Sequence, residues 1–251
     1  MPQRPPPVTV RRLPRALLVA CACLLTAASD EDRYAAERQA LLADIQRDAA
    51  ATADATGRPR FSARVMRALD TVPRHRFVPE RYAASAYANR PLPIGHGQTI
   101  SQPYIVALMT ELLVPRPDDV MLEVGTGSGY QAAVLSRLVA HVYTIEIIAP
   151  LAESATTRLR RLAYGNVQVR NSDGYYGWPE HGPYDGIIVT AAASSIPPPL
   201  VQQLKPGGRM VIPVGAPFHT QDLILLRKDL QGQVTTTSIL PVAFVPLTGQ
   251  R

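Results

Sequence analysis

Val120-Met121-Leu122-Glu123-Val124-Gly125-Thr126-Gly127-Ser128-Gly129-Tyr130 decides how this chain folds. Val120, Leu122 and Val124 read as a short buried strand that runs without a break into Gly-Thr-Gly-Ser-Gly. Beyond the glycines, Ala132, Ala133, Leu135, Leu138 and Val139 are spaced as the apolar side of a helix. Strand, glycine turn, helix is the order of a nucleotide-binding crossover. Glycine lets the backbone turn sharply and lie close to a ligand. The start of the helix adds unpaired N–H groups and the positive end of its dipole. A turn used only to pack helix on sheet would look the same, so the surroundings must decide.

The spacing here is G-x-G-x-G, one place tighter than a dinucleotide fingerprint, and Tyr130 stands where that fingerprint has its last glycine. An acid, Glu123, precedes the turn, and a second, Glu146, ends the next apolar run, His141–Glu146. A carboxylate there can accept from both hydroxyls of a ribose. This arrangement resembles the S-adenosylmethionine site of Rossmann-like methyltransferases. The resemblance implies that Glu123, Gly125, Thr126, Gly127, Ser128, Gly129 and Glu146 bind S-adenosylmethionine.

The rest of the chain fits an α/β fold of that kind. Ala149 to Tyr164 reads as a second crossover helix and Val167-Gln168-Val169 as a third strand. That strand leads to Asp173-Gly174, an acid placed to meet an adenine amino group, or else a plain Asp-Gly turn. Tyr184 to Ala192 is almost continuously apolar, as in a parallel strand covered on both faces. A short helix from Pro197 to Gln203, a turn over 204–209 and a strand Met210–Val214 follow. Asp222–Arg227 and Val234–Ile239 read as two antiparallel strands joined through Gln231-Gly232-Gln233. The expected fold is a Rossmann-like, mostly parallel, doubly wound sheet with antiparallel C-terminal strands.

Three segments are expected: a leader over 1–30, a helical extension over 31–60 and a catalytic domain over 61–251. In the leader, Arg11, Arg12 and Arg15 precede an apolar run from Ala16 to Ala28, as in a secretory signal. The run is too short for a permanent membrane span. Leu18-Val19-Ala20-Cys21 also has the look of a lipoprotein cleavage box, with a very short apolar core before it. A methyl donor made in the cytoplasm argues for a cytoplasmic protein, and export to the periplasm is the alternative. The net charge of +6 lies wholly in residues 1–90, which hold 15 Lys/Arg against 9 Asp/Glu; residues 91–251 hold 11 of each. A nucleic-acid enzyme more often has a basic face beside its site, so no nucleic-acid partner is expected. The only cysteines are Cys21 and Cys23, and the histidines have no ligand-like spacing, so no metal is expected. His75, alone among arginines, reads as a surface turn residue, and the chain is expected to be a monomer.

Leu92 to Tyr104, with Gly95 and Gly97, reads as a flexible covering loop ahead of a helix that starts near Pro103. Spacing alone leaves two roles open for Ser101, capping that helix or taking part in the chemistry. Several pieces resemble the protein-L-isoaspartate (D-aspartate) O-methyltransferase family. They are Val72-Pro73-Arg74 with Phe77-Val78, Ile94-Gly95 through Gly97-Gln98-Thr99-Ile100-Ser101-Gln102-Pro103-Tyr104, Leu122–Tyr130, Tyr184–Ala192, Leu204-Lys205-Pro206-Gly207-Gly208 to Gly215, and Phe244–Thr248. They run in family order from about residue 61 to the end. The resemblance implies that Ser101 is the active-site serine, and that Thr99 and Ile100 lie in the loop over donor and substrate. It makes Glu146 the ribose-binding acid and Asp173-Gly174 the adenine-side pair. The substrates it implies are isoaspartyl proteins and peptides, whose abnormal carboxyl is methylated so that a succinimide can form and return some aspartate. The alternative is a Rossmann-like methyltransferase acting on a small molecule or RNA.

Overall fold

The computed structural model describes residues 33–249 together with Met1 and Gln3. Of the expected leader only Met1 and Gln3 are described, and its two cysteines lie outside the described residues. The first helix among the described residues is Ala35–Ala51, extended by a short turn of helix, Ala53–Thr56, and stopped by left-handed Gly57. Leu41, Ile45 and Ala49 form its buried face. A second helix, Ala63–Thr71, is capped by Ser62, whose hydroxyl accepts from the Val65 N–H. Pro73 then stops the helical run, and short 3₁₀ helices follow at Arg74–Phe77 and Glu80–Ser85.

The expected loop before Pro103 is a hairpin. Strands β1 (Leu92–Gly95) and β2 (Gln98–Ile100) pair antiparallel about His96-Gly97, both with positive φ. Two consecutive left-handed residues are what a tight hairpin turn demands. The strands are too short for an alternating pattern to stand out in the sequence. Pro103 then opens the helix Pro103–Leu113.

The main sheet has seven strands. They are β3 (Val120–Val124), β4 (His141–Glu146), β5 (Val167–Asn171), β6 (Tyr184–Val189), β7 (Leu204–Val214), β8 (Gln221–Lys228) and β9 (Val234–Val242). Their spatial order is β5-β4-β3-β6-β7-β8-β9. From β5 to β7 the neighbours are parallel, and β8 and β9 are added antiparallel. The expected fold class therefore holds. One boundary moves: residues 204–209, expected as a turn, belong to β7. The register between β6 and β7 slips there, from Tyr184↔Leu204 to Gly186↔Arg209, so the extra residues bulge out of an otherwise continuous ladder.

Side chains along the central strands alternate between two cores, as the two-residue period requires. Met121, Val142, Ile188 and Val211 face the side that includes the N-terminal helices and the Pro103–Leu113 and Tyr130–Ser136 helices. Leu122, Val124, Ile145, Ile187, Met210 and Ile212 face the other side with Leu200. The N-terminal helix shares the first core, with Ile45 and Ala49 fully buried. The chain winds outward from β3 through β4 to β5, then crosses to β6 on the other side of β3. That reversal leaves a crevice at the carboxyl ends of β3 and β6, where open α/β sheets take ligands.

Candidate active site

The glycine loop leaves β3 into this crevice. Gly125, Gly127 and Gly129 all have positive φ. At Gly125 glycine is required twice, since a Cβ would also come within 2.5 Å of the Thr190 hydroxyl at the end of β6. That hydroxyl donates to the Gly125 carbonyl at 2.6 Å, which fastens the loop to β6. Gly129 serves as the N-cap of the Tyr130–Ser136 helix and lies against Leu159. Arg158 holds the loop from outside, donating to the Ser128 carbonyl at 2.8 Å.

Both acids of the motif are buried. Glu146 ends β4 with its carboxylate aimed at the loop: Oε2 accepts from the Gly127 N–H at 2.8 Å and Oε1 from the Ile148 N–H at 3.0 Å. Each oxygen keeps a further lone pair for a ligand hydroxyl. Glu123 sits deeper. Its Oε2 accepts from the Thr144 hydroxyl at 2.6 Å, and the Thr144 hydroxyl oxygen in turn lies 2.6 Å from the Thr126 hydroxyl. Its Oε1 is buried with no partner. Burial pushes the Glu123 carboxyl up to about 8, against the opposing bond from Thr144.

A cavity runs along this surface. Its wall includes Thr99, Ile100 and Ser101 from the hairpin side, Glu123, Gly125, Thr126, Gly127 and Ser128 from the loop, then Glu146 and Gly174. The structure thus brings together most of the residues expected from the sequence. Two stand back from the wall. Gly129 shapes the turn behind it. The Asp173 carboxylate turns aside, with Oδ1 accepting from the Tyr175 N–H at 2.9 Å, while Gly249 lies against it. Its Oδ2 is buried without a partner.

A second cavity adjoins the first and shares Thr99, Ser101, Thr190 and Val245 with it. The rest of its lining, from Pro91, Gln102 and Ile105 to Thr220 and Pro241–Phe244, carries no charged side chain. Ser101 therefore stands where the two meet. The helix beside it is capped by Gln102, with no side-chain cap bond. The Ser101 hydroxyl makes no hydrogen bond to any described residue, so the capping alternative has no support in the geometry.

Thr190, Tyr130 and the segment Val245–Thr248 line the cavity without an assigned role in the sequence, and buried Thr144, behind the wall, supports Glu123. Thr190 was findable, since it follows the carboxyl end of β6. The C-terminal segment is tied to the loop after β6 by bonds from the Ala192 N–H to the Val245 carbonyl and from the Leu247 N–H to the Ala192 carbonyl. Gln221, almost fully buried, fixes its start by accepting from the Phe244 N–H at 2.7 Å. His75 is not a bare surface residue: it stacks on Tyr34 at 4.3 Å, and its Nδ1 is 2.9 Å from the Tyr87 hydroxyl. Among the described residues, no group of three or more His, Cys, Asp or Glu could hold a metal ion. No helix among them is long and apolar enough to cross a membrane.

Comparison with known proteins bears on this site as a whole. The profile of the protein-L-isoaspartate (D-aspartate) O-methyltransferase family matches residues 54–251. Protein-L-isoaspartate O-methyltransferase 2 of Syntrophobacter fumaroxidans is 60% identical over 219 residues, which is 87% of this chain and 89% of that protein. Protein-L-isoaspartate O-methyltransferase 1 of Cupriavidus necator is 59% identical over 235 residues, covering 94% of this chain and 90% of the relative. A solved protein-L-isoaspartate O-methyltransferase superposes with a TM-score of 0.73 at 29% identity, over 84% of this chain and 66% of its own. The family match starts before residue 61. Only 191 residues follow position 60, so the 219-residue match to the Syntrophobacter protein reaches at least 28 residues into the segment expected to be an addition. With the glycine loop, its two acids and the Thr-Ile-Ser hairpin on one crevice, and with this profile running to the last residue, the chain belongs to the protein-L-isoaspartate (D-aspartate) O-methyltransferase family.

Proposed function

We propose that the protein transfers a methyl group from S-adenosylmethionine to the free carboxyl of isoaspartyl residues in damaged proteins and peptides. The observation that carries this reading is Ser101, its hydroxyl uncommitted, at the junction of the glycine-loop cavity and the uncharged side cavity. The donor suits the first cavity. Backbone approaches closely along Gly125–Gly129, Glu146 has acceptor capacity left for ribose hydroxyls, and Glu123 Oε1 is a buried oxygen without a partner. Gly174 lines the adenine end, with the unpartnered Asp173 Oδ2 beside it.

When bound, S-adenosylmethionine supplies a methyl group carried on a cationic sulfur. The chain's own residues have three tasks: hold the substrate carboxyl, aim one of its oxygens and keep water out. A carboxyl with an ordinary value near 4 is already ionised at neutral pH, so no base has to act on it. Ser101 donates one hydrogen bond to the carboxylate and leaves the other oxygen free to react. Orientation of this kind is worth about 7–11 kcal/mol at best. A single neutral donor is the right strength, because stronger binding of the ground-state charge would slow the attack. Thr99 and Ile100 cover the site, and Val245, Pro246 and Leu247 add apolar wall to it. No proton has to move for the ester to form.

The compartment follows from the donor, which is made in the cytoplasm; fractionation of the native host separates this from export. A single copy supplies every residue named here, so a monomer is sufficient. The test of the function is repair itself. An isoaspartyl peptide incubated with the protein and donor, then resolved by chromatography, should yield the aspartyl form over successive cycles. Neither methyl ester nor aspartyl peptide would appear if the reading were wrong.

A further inference from the structure

Arg74 is fully buried, yet it belongs to no ion pair among the described residues. Buried charges are ordinarily paired, since leaving water is costly for an ion. Here the guanidinium spends its donors on backbone carbonyls. Nε donates to the Ala86 carbonyl at 2.9 Å, and Nη2 donates to the Ser101 carbonyl at 2.9 Å, with the Arg90 carbonyl at 3.5 Å. Nη1 has no hydrogen-bond acceptor. The guanidinium carbon lies over the Tyr130 ring, 4.9 Å from its centroid. Tyr130 is the first residue of the helix that follows the glycine loop, and it lines the donor cavity with Ser101. One cation therefore touches the residue proposed to aim the carboxylate and the residue that closes the donor loop. Burial lowers the guanidinium to about 10, which leaves it charged at neutral pH.

We propose that Arg74 is a positioning residue for methyl transfer: by holding the Ser101 carbonyl and the Tyr130 ring at once, it fixes the serine hydroxyl relative to the bound donor. Only a planar fork with several donors can do this. A lysine keeps the charge but offers a single nitrogen, which cannot reach carbonyls on both sides and lie flat on a ring. A bare scaffold role would need the Ala86 and Arg90 contacts alone. The proposal rests on the reading of the two cavities as a methyl-transfer site.

The test compares Arg74→Lys and Arg74→Met with Arg64→Met. Arg64 is the control because it also donates to two backbone carbonyls, those of Pro115 and Leu138, at 3.0 Å each, and lines neither cavity. Each protein is measured for melting temperature, for S-adenosylhomocysteine affinity by calorimetry, and for kcat and KM on an isoaspartyl peptide, per folded molecule. The expected result is a fall in kcat of tenfold or more in Arg74→Lys, with product affinity within about threefold of the unaltered protein. Arg64→Met should lose melting temperature and keep its kcat. If Arg74→Met fails to fold, Arg74→Lys decides. Normal kcat in folded Arg74→Lys, or an equal fall in Arg64→Met, overturns the proposal. An unaltered protein that forms no ester at all refutes the methyl-transfer reading instead, so the two failures are distinguishable.

Discussion

Ser101, Glu146 and Glu123 each make a prediction that depends on where the fold puts one side chain. Because Ser101 caps nothing, Ser101→Ala should leave the melting temperature almost unchanged. Misplacement beside the reacting atoms can cost about a hundredfold, so turnover on an isoaspartyl peptide should fall by roughly that factor. Donor affinity should hold. Stopped turnover assays beside thermal melts check this, and unchanged turnover would reduce Ser101 to a lining residue. Glu146→Ala should weaken donor binding by about 1–3 kcal/mol, the cost of leaving buried donors unpaired. Calorimetry reads it directly, and unchanged affinity in a folded variant would remove Glu146 from the site. Glu123 predicts a pH dependence. Its carboxyl stands at about 8 in the folded chain against an ordinary 4.5, so the folded state holds the proton more tightly. The stability this group contributes is full below about pH 4.5, declines as pH rises and levels off above about 8. Glu123→Gln does not titrate. Melts of the donor-free proteins at pH 5 to 8 should show the variant gaining on the unaltered protein as pH rises; parallel curves would mean that Glu123 is solvated. The sequence made the glycines and both acids legible, because their chemistry lies in their spacing. It did not reveal that Glu123 is partnered by Thr144, since that bond spans two strands whose register no local pattern encodes.

Among the elements, the parallel strands were the easiest to read, because a strand buried on both faces is a nearly unbroken apolar run. The hairpin of β1 and β2 was not. Each strand is only a few residues long, and the turn uses His96 rather than the usual Asn or Asp ahead of Gly97. The C-terminal stretch after β9 was legible as a family motif without a role. Its role depends on tertiary hydrogen bonds, chiefly those of Gln221, which is 2% exposed. Gln221→Leu removes the acceptor for the Phe244 N–H and the Nε2 donor to the His219 carbonyl. Stability should drop by about 1–3 kcal/mol. KM for the peptide should rise more than donor affinity changes, because Phe244 lines the side cavity and not the donor cavity. Denaturant titration with paired kinetics checks both parts. A variant with an unaltered peptide KM would detach the C-terminal segment from substrate binding.

At the scale of the molecule, the family profile matches residues 54–251, and the described chain reaches further back still. The Ala35–Ala51 helix has the spacing of any amphipathic helix, and nothing local says what its apolar face meets. In the fold, Leu41, Ile45 and Ala49 belong to the same core as the helices beside β3. A chain starting at residue 58 should therefore lose several degrees of melting temperature or fail to fold. Melts of the truncated chain beside the full one test this. The central claim is that the paired cavities select an isoaspartyl carboxyl for methylation, and single-turnover transfer from labelled donor to matched isoaspartyl and aspartyl peptides measures it most directly. The account predicts rapid, base-labile labelling of the isoaspartyl peptide and little labelling of its twin; equal labelling of the two would contradict it.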